Sequence, residues 1–154
     1  MYIFNQTQKI KANLNDVFEF FQKPENLAKV TPAWIRFSIK SNPPLVMKEG
    51  AEFEYTIRLY GIPVNWKTRI AKYSPPNIFI DEQLKGPYKI WIHTHKFQQV
   101  DGHVIMEDSV NYDLFGGIFK KLIHLLFVKN SVEKIFKYRK EVIEKELKSF
   151  LSTY

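Results

Sequence analysis

Aromatic side chains alternating along successive strand-like segments constrain this chain more than any other feature. It carries thirteen phenylalanines, eight tyrosines and three tryptophans in 154 residues. Phe53, Tyr55, Ile57 and Leu59 alternate with Glu52, Glu54, Thr56 and Arg58, the period of a strand with one apolar and one wet face. Aromatic side chains bury a large area each and are costly to expose. So many on one sheet face require a wide apolar interior and a second layer to cover it. The C-terminal segment supplies that layer: Val128, Val132, Ile135, Phe136, Val142, Ile143 and Phe150 fall in one arc of a helix turning ~100° per residue, which reads as helical to about residue 151.

The remaining elements follow from punctuation. Residues 2–11 read as a first strand, and Asn13 or Asn15 caps a helix through Phe21 with Val17, Phe18, Phe20 and Phe21 as its apolar side. Pro24 suits the first turn of a second short helix over 25–30, which Pro32 ends. Turns at Gly61-Ile62-Pro63, Ser74-Pro75-Pro76, Lys85-Gly86-Pro87 and Asp101-Gly102 separate strands at 53–59, 64–73, 78–84, 88–99 and 103–112, an antiparallel meander. No repeat, linker or low-complexity stretch interrupts residues 1–154, which read as a single domain.

The absence of cysteine excludes disulfides, thiolate ligands and cysteine nucleophiles. The N-terminus lacks the order of a signal peptide and no apolar run approaches the ~20 residues of a membrane span, so the chain reads as cytoplasmic. The net charge of +7 raises a nucleic-acid reading, but Lys134, Lys137, Lys140, Lys145 and Lys148 are mixed with Glu133, Glu141, Glu144 and Glu146 as on a solvated helix face. No nucleic-acid partner is expected, and monomer and homodimer both stay open. The apolar run 122–128, preceded by Gly116-Gly117 and flanked by Lys120, Lys121 and Lys129, reads as a gate over a pocket or as a loop packed against Phe18 and Phe21. Contact with an anionic bilayer is the least favoured reading, because the run is short.

His93 and His95 share a strand face with Trp91 and Phe97, which puts two imidazoles among aromatics. They read as metal ligands, as an acid/base pair oriented by Asp81, Glu82 or Asp108, or as the polar spots of a pocket. A metal needs further donors, and no spacing selects among Asp108, Glu107, Gln83 and Glu82, so neither metal nor cofactor is expected. Asp108 alternates with Met106, Val110 and Tyr112; a carboxylate on that side must be paired. Arg139, near the centre of the helix arc, is its expected partner, with an anchor for a ligand carboxylate or phosphate and a snorkelling side chain as alternatives. There is no glycine-rich phosphate cradle, nucleophile elbow or carboxylate pair at glycosidase spacing.

The element order, strand, two short helices, further strands and a long C-terminal helix, resembles the helix-grip fold of the START-like or SRPBCC superfamily, which includes birch-pollen-allergen proteins, lipid-transfer domains and polyketide cyclases. Pro24-Glu25-Asn26-Leu27, Gly61-Ile62-Pro63-Val64-x-Trp66-x-Thr68, Pro75-Pro76-x-x-Phe79-x-Asp81-Glu82-Gln83, Gly86-Pro87-Tyr88-x-x-Trp91-x-His93-Thr94-His95-x-Phe97, Met106-x-Asp108-x-Val110-x-Tyr112 and Ile135-Phe136-x-Tyr138-Arg139 are similar to a bacterial branch labelled ligand-binding or cyclase/dehydrase-like. The resemblance implies an α+β fold, an antiparallel sheet of about six to seven strands wrapped around a long C-terminal helix. The implied function is non-covalent carriage or sensing of a hydrophobic or amphipathic, ring-containing small molecule. Phe53, Tyr55, Trp66, Gln83, Trp91, Phe97 and Phe136 would contact it, and His93, His95, Asp108 and Arg139 would orient it. The alternatives are a cyclase-, dehydratase- or hydrolase-like enzyme using a cavity histidine, and a filled scaffold that meets an acidic partner. A container requires a continuous cavity of several hundred cubic ångströms, roughly the range of small-molecule pockets. An enzyme adds a histidine within reach of an acid at the cavity wall.

Overall fold

Local chemistry sets the first elements of the computed structural model, which describes residues 1–153. Strand β1 (Tyr2–Ile10) leads into helix α1 (Leu14–Phe21), capped by Asn13, whose side chain accepts a hydrogen bond from the Asp16 amide at 2.9 Å. The helix expected over 25–30 is a tighter 3₁₀ turn, Pro24–Ala28, and a second 3₁₀ turn covers Ala33–Ile35. Pro24 and Pro32 bracket this segment and leave too little chain for a full α-helix.

Six further strands follow: β2 (Ser38–Ile39), β3 (Glu52–Leu59), β4 (Ile62–Ser74), β5 (Ile78–Lys85), β6 (Ile90–Val100) and β7 (His103–Asp113). With β1 they form one antiparallel sheet in the order β1-β7-β6-β5-β4-β3-β2, so the first strand pairs with the last and the meander is otherwise sequential. The sequence reading lacked β2. It is a two-residue edge strand, too short to carry a period.

Gly86 marks the turn between β5 and β6. A Cβ there would stand 2.3 Å from the Gln83 Oε1, because the Gln83 amide folds across the turn. It donates to the Tyr88 carbonyl at 2.6 Å and accepts from the Tyr88 amide at 3.3 Å. Only glycine leaves room for this closure.

The C-terminal segment is helical from Gly117: a 3₁₀ turn (Gly117–Phe119), α2 (Lys120–Ile123), one π-helical turn (His124–Val128) and α3 (Lys129–Leu151). Helix α3 buries Val132, Phe136, Arg139, Ile143, Leu147 and Phe150, spaced three and four apart. Leu147 completes the arc expected from the sequence. Two side chains of β1 fasten the helix to the sheet: Gln6 donates to the Phe136 carbonyl at 3.2 Å and the buried Gln8 to that of Lys140 at 3.0 Å. Sheet and C-terminal helix together are the α+β helix-grip arrangement. No helix among the described residues is long and apolar enough to cross a membrane.

The core is in two parts. Phe18, Phe20, Phe79, Phe97, Met106, Ile143 and Phe150 belong to one cluster, under α1 and the end of α3. Ile57, Trp66, Tyr88, Val110, Tyr112, Val132 and Phe136 belong to the other. Of the run 122–128, Val128 alone packs against a core cluster. Leu122, Leu125, Leu126 and Phe127 are exposed and none of them lines the internal cavity, so the loop packed against Phe18 and Phe21 is corrected.

Candidate functional site

Antiparallel register assembles a polar cluster on the helix-covered face of the sheet. Asp81 on β5 stands opposite His93 on β6, and His95 stands opposite Asp108 on β7. Residues two apart share a face, so the four side chains converge across three adjacent strands. His93 Nε2 donates to Asp108 Oδ1 at 2.9 Å, and His95 Nε2 donates to Asp81 Oδ2 at 3.1 Å. His95 Nδ1 also lies 2.9 Å from Asp108 Oδ1, but off the line of a hydrogen bond. The imidazoles stand 3.7 Å apart between ring centres. His95 stacks on Phe79 at 4.2 Å and His93 meets the edge of Phe136 at 5.3 Å, so the pair bridges the two apolar clusters.

Burial and charge decide the protonation states. Burial pushes His93 down, aided by His95, and outweighs the pull of Asp108; the ring is neutral. Burial also opposes charge on His95, but the Asp108 carboxylate beside Nδ1 and the hydrogen bond from Nε2 to Asp81 overcome it and hold its pKa above the ordinary value. Burial likewise works against both carboxylates. The hydrogen bond from His95, with His93 next, holds Asp81 below the usual carboxylate range, and the hydrogen bond from His93, with the His95 ring beside it, holds Asp108 well below it. Two carboxylates thus face the His95 ring, the imidazole of the pair whose charged form they favour.

Arg139 supplies a second cation. It points into the domain, 6% exposed, as expected from its place on the helix arc. Its expected partner is wrong. Asp108 is taken by the histidines, and Arg139 makes no ion pair among the described residues. Its guanidinium lies 4.9 Å from the Phe136 ring centre and stabilises the charge of Asp81 only through space. Its Nε, and the indole Nε1 of Trp66, are buried donors without a partner. The error has a steric source: a helix wheel gives a direction, not which of three strands lies beneath it.

Asp81, His93, His95 and Arg139 line a cavity of about 180 Å³ whose walls are otherwise largely apolar. Phe53, Tyr55, Ile57, Trp66, Thr68 and Ile70 contribute from β3 and β4, Trp91 from β6, and Val132, Ile135 and Phe136 from α3. The segment between α1 and β3 adds Leu27, Phe37, Ile39 and Met47. Tyr55 stacks on Trp66 at 5.9 Å, and Trp66 meets Trp91 edge-on at 5.4 Å. Burial, with Asp81 next, pushes the Tyr55 phenol well above its usual range, so it stays a neutral donor.

The expected contact residues divide accordingly. Phe53, Tyr55, Trp66, Trp91, His93, His95, Phe136 and Arg139 reach the cavity. Gln83 does not: it closes the β5–β6 turn. Phe97 packs in the core, and Asp108 sits behind the histidines. The sequence reading placed Asp81 only as an orienting partner, and it is a cavity-wall member of the cluster. Counting back from the two-residue turn at Asp101-Gly102 puts His95 opposite Asp108, but no such count reaches Asp81, because the β5–β6 pairing stops at Glu82 and Ile92, short of a turn whose length sets the register.

No family profile and no curated protein matches the sequence. Solved structures do match the fold. TTHA0849 from Thermus thermophilus superposes with a TM-score of 0.75 at 15% identity, covering 96% of this chain and 98% of its own. Protein Ms6760 from Mycobacterium smegmatis gives 0.70 at 14% identity, with 96% and 92% covered. The structure of Ara h 8.0201 gives 0.61 at 15% identity, with 92% and 97% covered. At these identities the likeness is one of fold.

Proposed function

We propose that the protein binds, without covalent chemistry, a small ring-containing molecule bearing one acidic or hydroxyl group, as a carrier or sensor of the bacterial SRPBCC kind. The observation that carries this reading is the pairing of aromatic walls with two buried, unpartnered donors, Arg139 Nε and Trp66 Nε1. A buried donor left without an acceptor costs about 1–3 kcal/mol, more when charged. A ligand carboxylate or phenol oxygen that reaches either donor recovers that cost, and Arg139 adds a charge-assisted bond.

Size narrows the class. The cavity of about 180 Å³ is smaller than the several hundred expected of a container. An apolar cavity of roughly 150 Å³ already accepts a benzene molecule, so this one suits one or two rings better than a long acyl chain. Stacking on Tyr55, Trp66 and Trp91 adds ~0.5–1.5 kcal/mol per ring pair beyond area burial. Tryptophan fluorescence titration with aromatic carboxylic acids and phenols against fatty acids of matched volume tests the proposal. Saturable quenching by the ring acids, weakened at least tenfold in Arg139→Met, is expected. Binding of the fatty acids alone overturns it.

A second reading rests on one contact. His95, its pKa held above the ordinary value by Asp108 and Asp81 at the cavity wall, is placed to give a proton to a bound carbonyl or leaving hydroxyl, as a dehydratase-like enzyme requires. Turnover of a bound ring ligand that disappears in His95→Gln, with binding retained, would select it over simple carriage.

A further inference from the structure

We propose that Asp81, His93 and His95 form a binding site for one divalent transition-metal ion of the zinc and ferrous class, open towards the cavity. The inference goes beyond the container reading and does not depend on it. It runs against the expectation of no metal, which rested on the lack of a further donor beside the histidine pair: β5 supplies one in Asp81.

The geometry supports it atom by atom. His93 Nδ1 lies 3.8 Å from Asp81 Oδ2, His95 Nε2 lies 3.1 Å from the same oxygen, and the three donors all fall within 4.8 Å of one another. Donors held at about 2.0–2.1 Å around one ion stand ~2.9–3.4 Å apart, so rotations of two side chains bring the set to coordinating distance. Two imidazole nitrogens and one carboxylate oxygen are the donor set for zinc, ferrous iron and their neighbours, and a poor one for calcium or magnesium.

Asp108 prepares the nitrogens. A carboxylate only accepts, so His93 Nε2 carries its proton toward Asp108 and the lone pair of the neutral ring sits on Nδ1, facing Asp81. For His95 the nitrogen beside Asp108 is Nδ1, which leaves Nε2 as the ligand atom once its proton has left to solvent. One buried carboxylate therefore orients both rings from behind, the carboxylate–histidine–metal relation. Asp108 does not line the cavity, whereas the three donors do, so the remaining coordination positions face the ligand space. Two carboxylates neutralise a divalent ion and leave Arg139 as the unbalanced charge, so an anionic oxygen of a cavity ligand would complete both.

Titration of untagged, metal-stripped full chain with Zn²⁺ by calorimetry, and with Co²⁺ by visible absorbance, tests the site. One ion per chain is expected, with Co²⁺ bands of a low-symmetry nitrogen and oxygen site. Asp81→Asn and His95→Gln should each weaken Zn²⁺ at least ~100-fold and Asp108→Asn about 10–100-fold, with His103→Gln, outside the cavity, unchanged. Because buried variants can misfold, the wild-type chain carries the second measurement. On adding Zn²⁺, the ¹⁵N resonances of His93 Nδ1 and His95 Nε2 should move in slow exchange, while those of His103 and His124 stay fixed. Substoichiometric binding, shifts at His103 or His124 instead, or an Asp81→Asn chain that is folded and binds Zn²⁺ with undiminished affinity would overturn the proposal.

Discussion

Two successive stretches of the C-terminal helical segment are both rich in apolar residues and meet opposite fates. In α3 the apolar residues recur three and four apart, and six of the side chains on that face are buried, Arg139 among them. Between Gly117 and Val128 the apolar residues stand almost side by side, and Ile118, Phe119, Leu122, Leu125, Leu126 and Phe127 are 49–91% exposed. A helix can turn only one arc toward a sheet, so a run that is apolar all round leaves much of itself in water. What holds the exposed stretch is polar. His124 stacks on Tyr2 at 3.5 Å and bonds to the Tyr112 hydroxyl at 2.9 Å, while Tyr60 donates to the Phe127 carbonyl at 2.8 Å. The lesson is that period, not apolar content, decides which turns of a helix join a core.

The largest expected effects lie in α3 and in what it covers. Phe136→Ala should lower stability by about 3–5 kcal/mol in urea denaturation, since it empties the centre of one core cluster and the wall beside His93. A loss below ~1 kcal/mol would mean that the helix does not seal the sheet there. Asp108→Asn should cost about 3 kcal/mol, because it removes the buried charge that His93 donates to and that lies 2.9 Å from the His95 ring. Combined with Arg139→Met, its effect should add to within ~0.5 kcal/mol, because the two side chains do not pair; strong coupling would restore the ion pair that the structure excludes.

The small effects belong to the exposed stretch. Leu125→Ser should change stability by no more than ~0.5 kcal/mol, as for other surface positions. Amide exchange should open 117–128 well before 132–150, and equal protection of the two would erase the contrast drawn above. The smallest change concerns the connection from β7 to α2. The Lys120 ammonium first, then the Leu114 amide, hold the Asp113 carboxyl below its ordinary value. A lowered folded pKa contributes stability above the unfolded value of about 3.9 and loses it as pH falls through the folded one. Acidification below pH ~4 should therefore speed exchange at 117–123 before it touches α3, and the Asp113→Asn chain should show the fast rate at neutral pH.

The same contrast explains what could be read in advance. Arg139 was legible as an inward-facing cation because its helix carries a clean arc, and the strands bearing His93, His95 and Asp108 were legible from alternation and turns. Its partner was not legible, because pairing across a helix–sheet interface depends on where the helix lies over the strands. The placement of the run 122–128 was not legible either, because an unbroken apolar string fixes no face.

Composition, strand alternation, turn residues and the helix arc by themselves determined a single α+β layer pair, with aromatics and two histidines on the inner face. Those are local or periodic properties, fixed by steric preferences within a few residues of each position. Only the tertiary structure decided that both histidines lie against Asp108, that Asp81 from a third strand joins them, and that Arg139 and Trp66 keep donors unpaired beside a cavity of about 180 Å³. Those facts depend on register and on the placement of a helix over a sheet, contacts between residues up to dozens of positions apart that no local preference encodes.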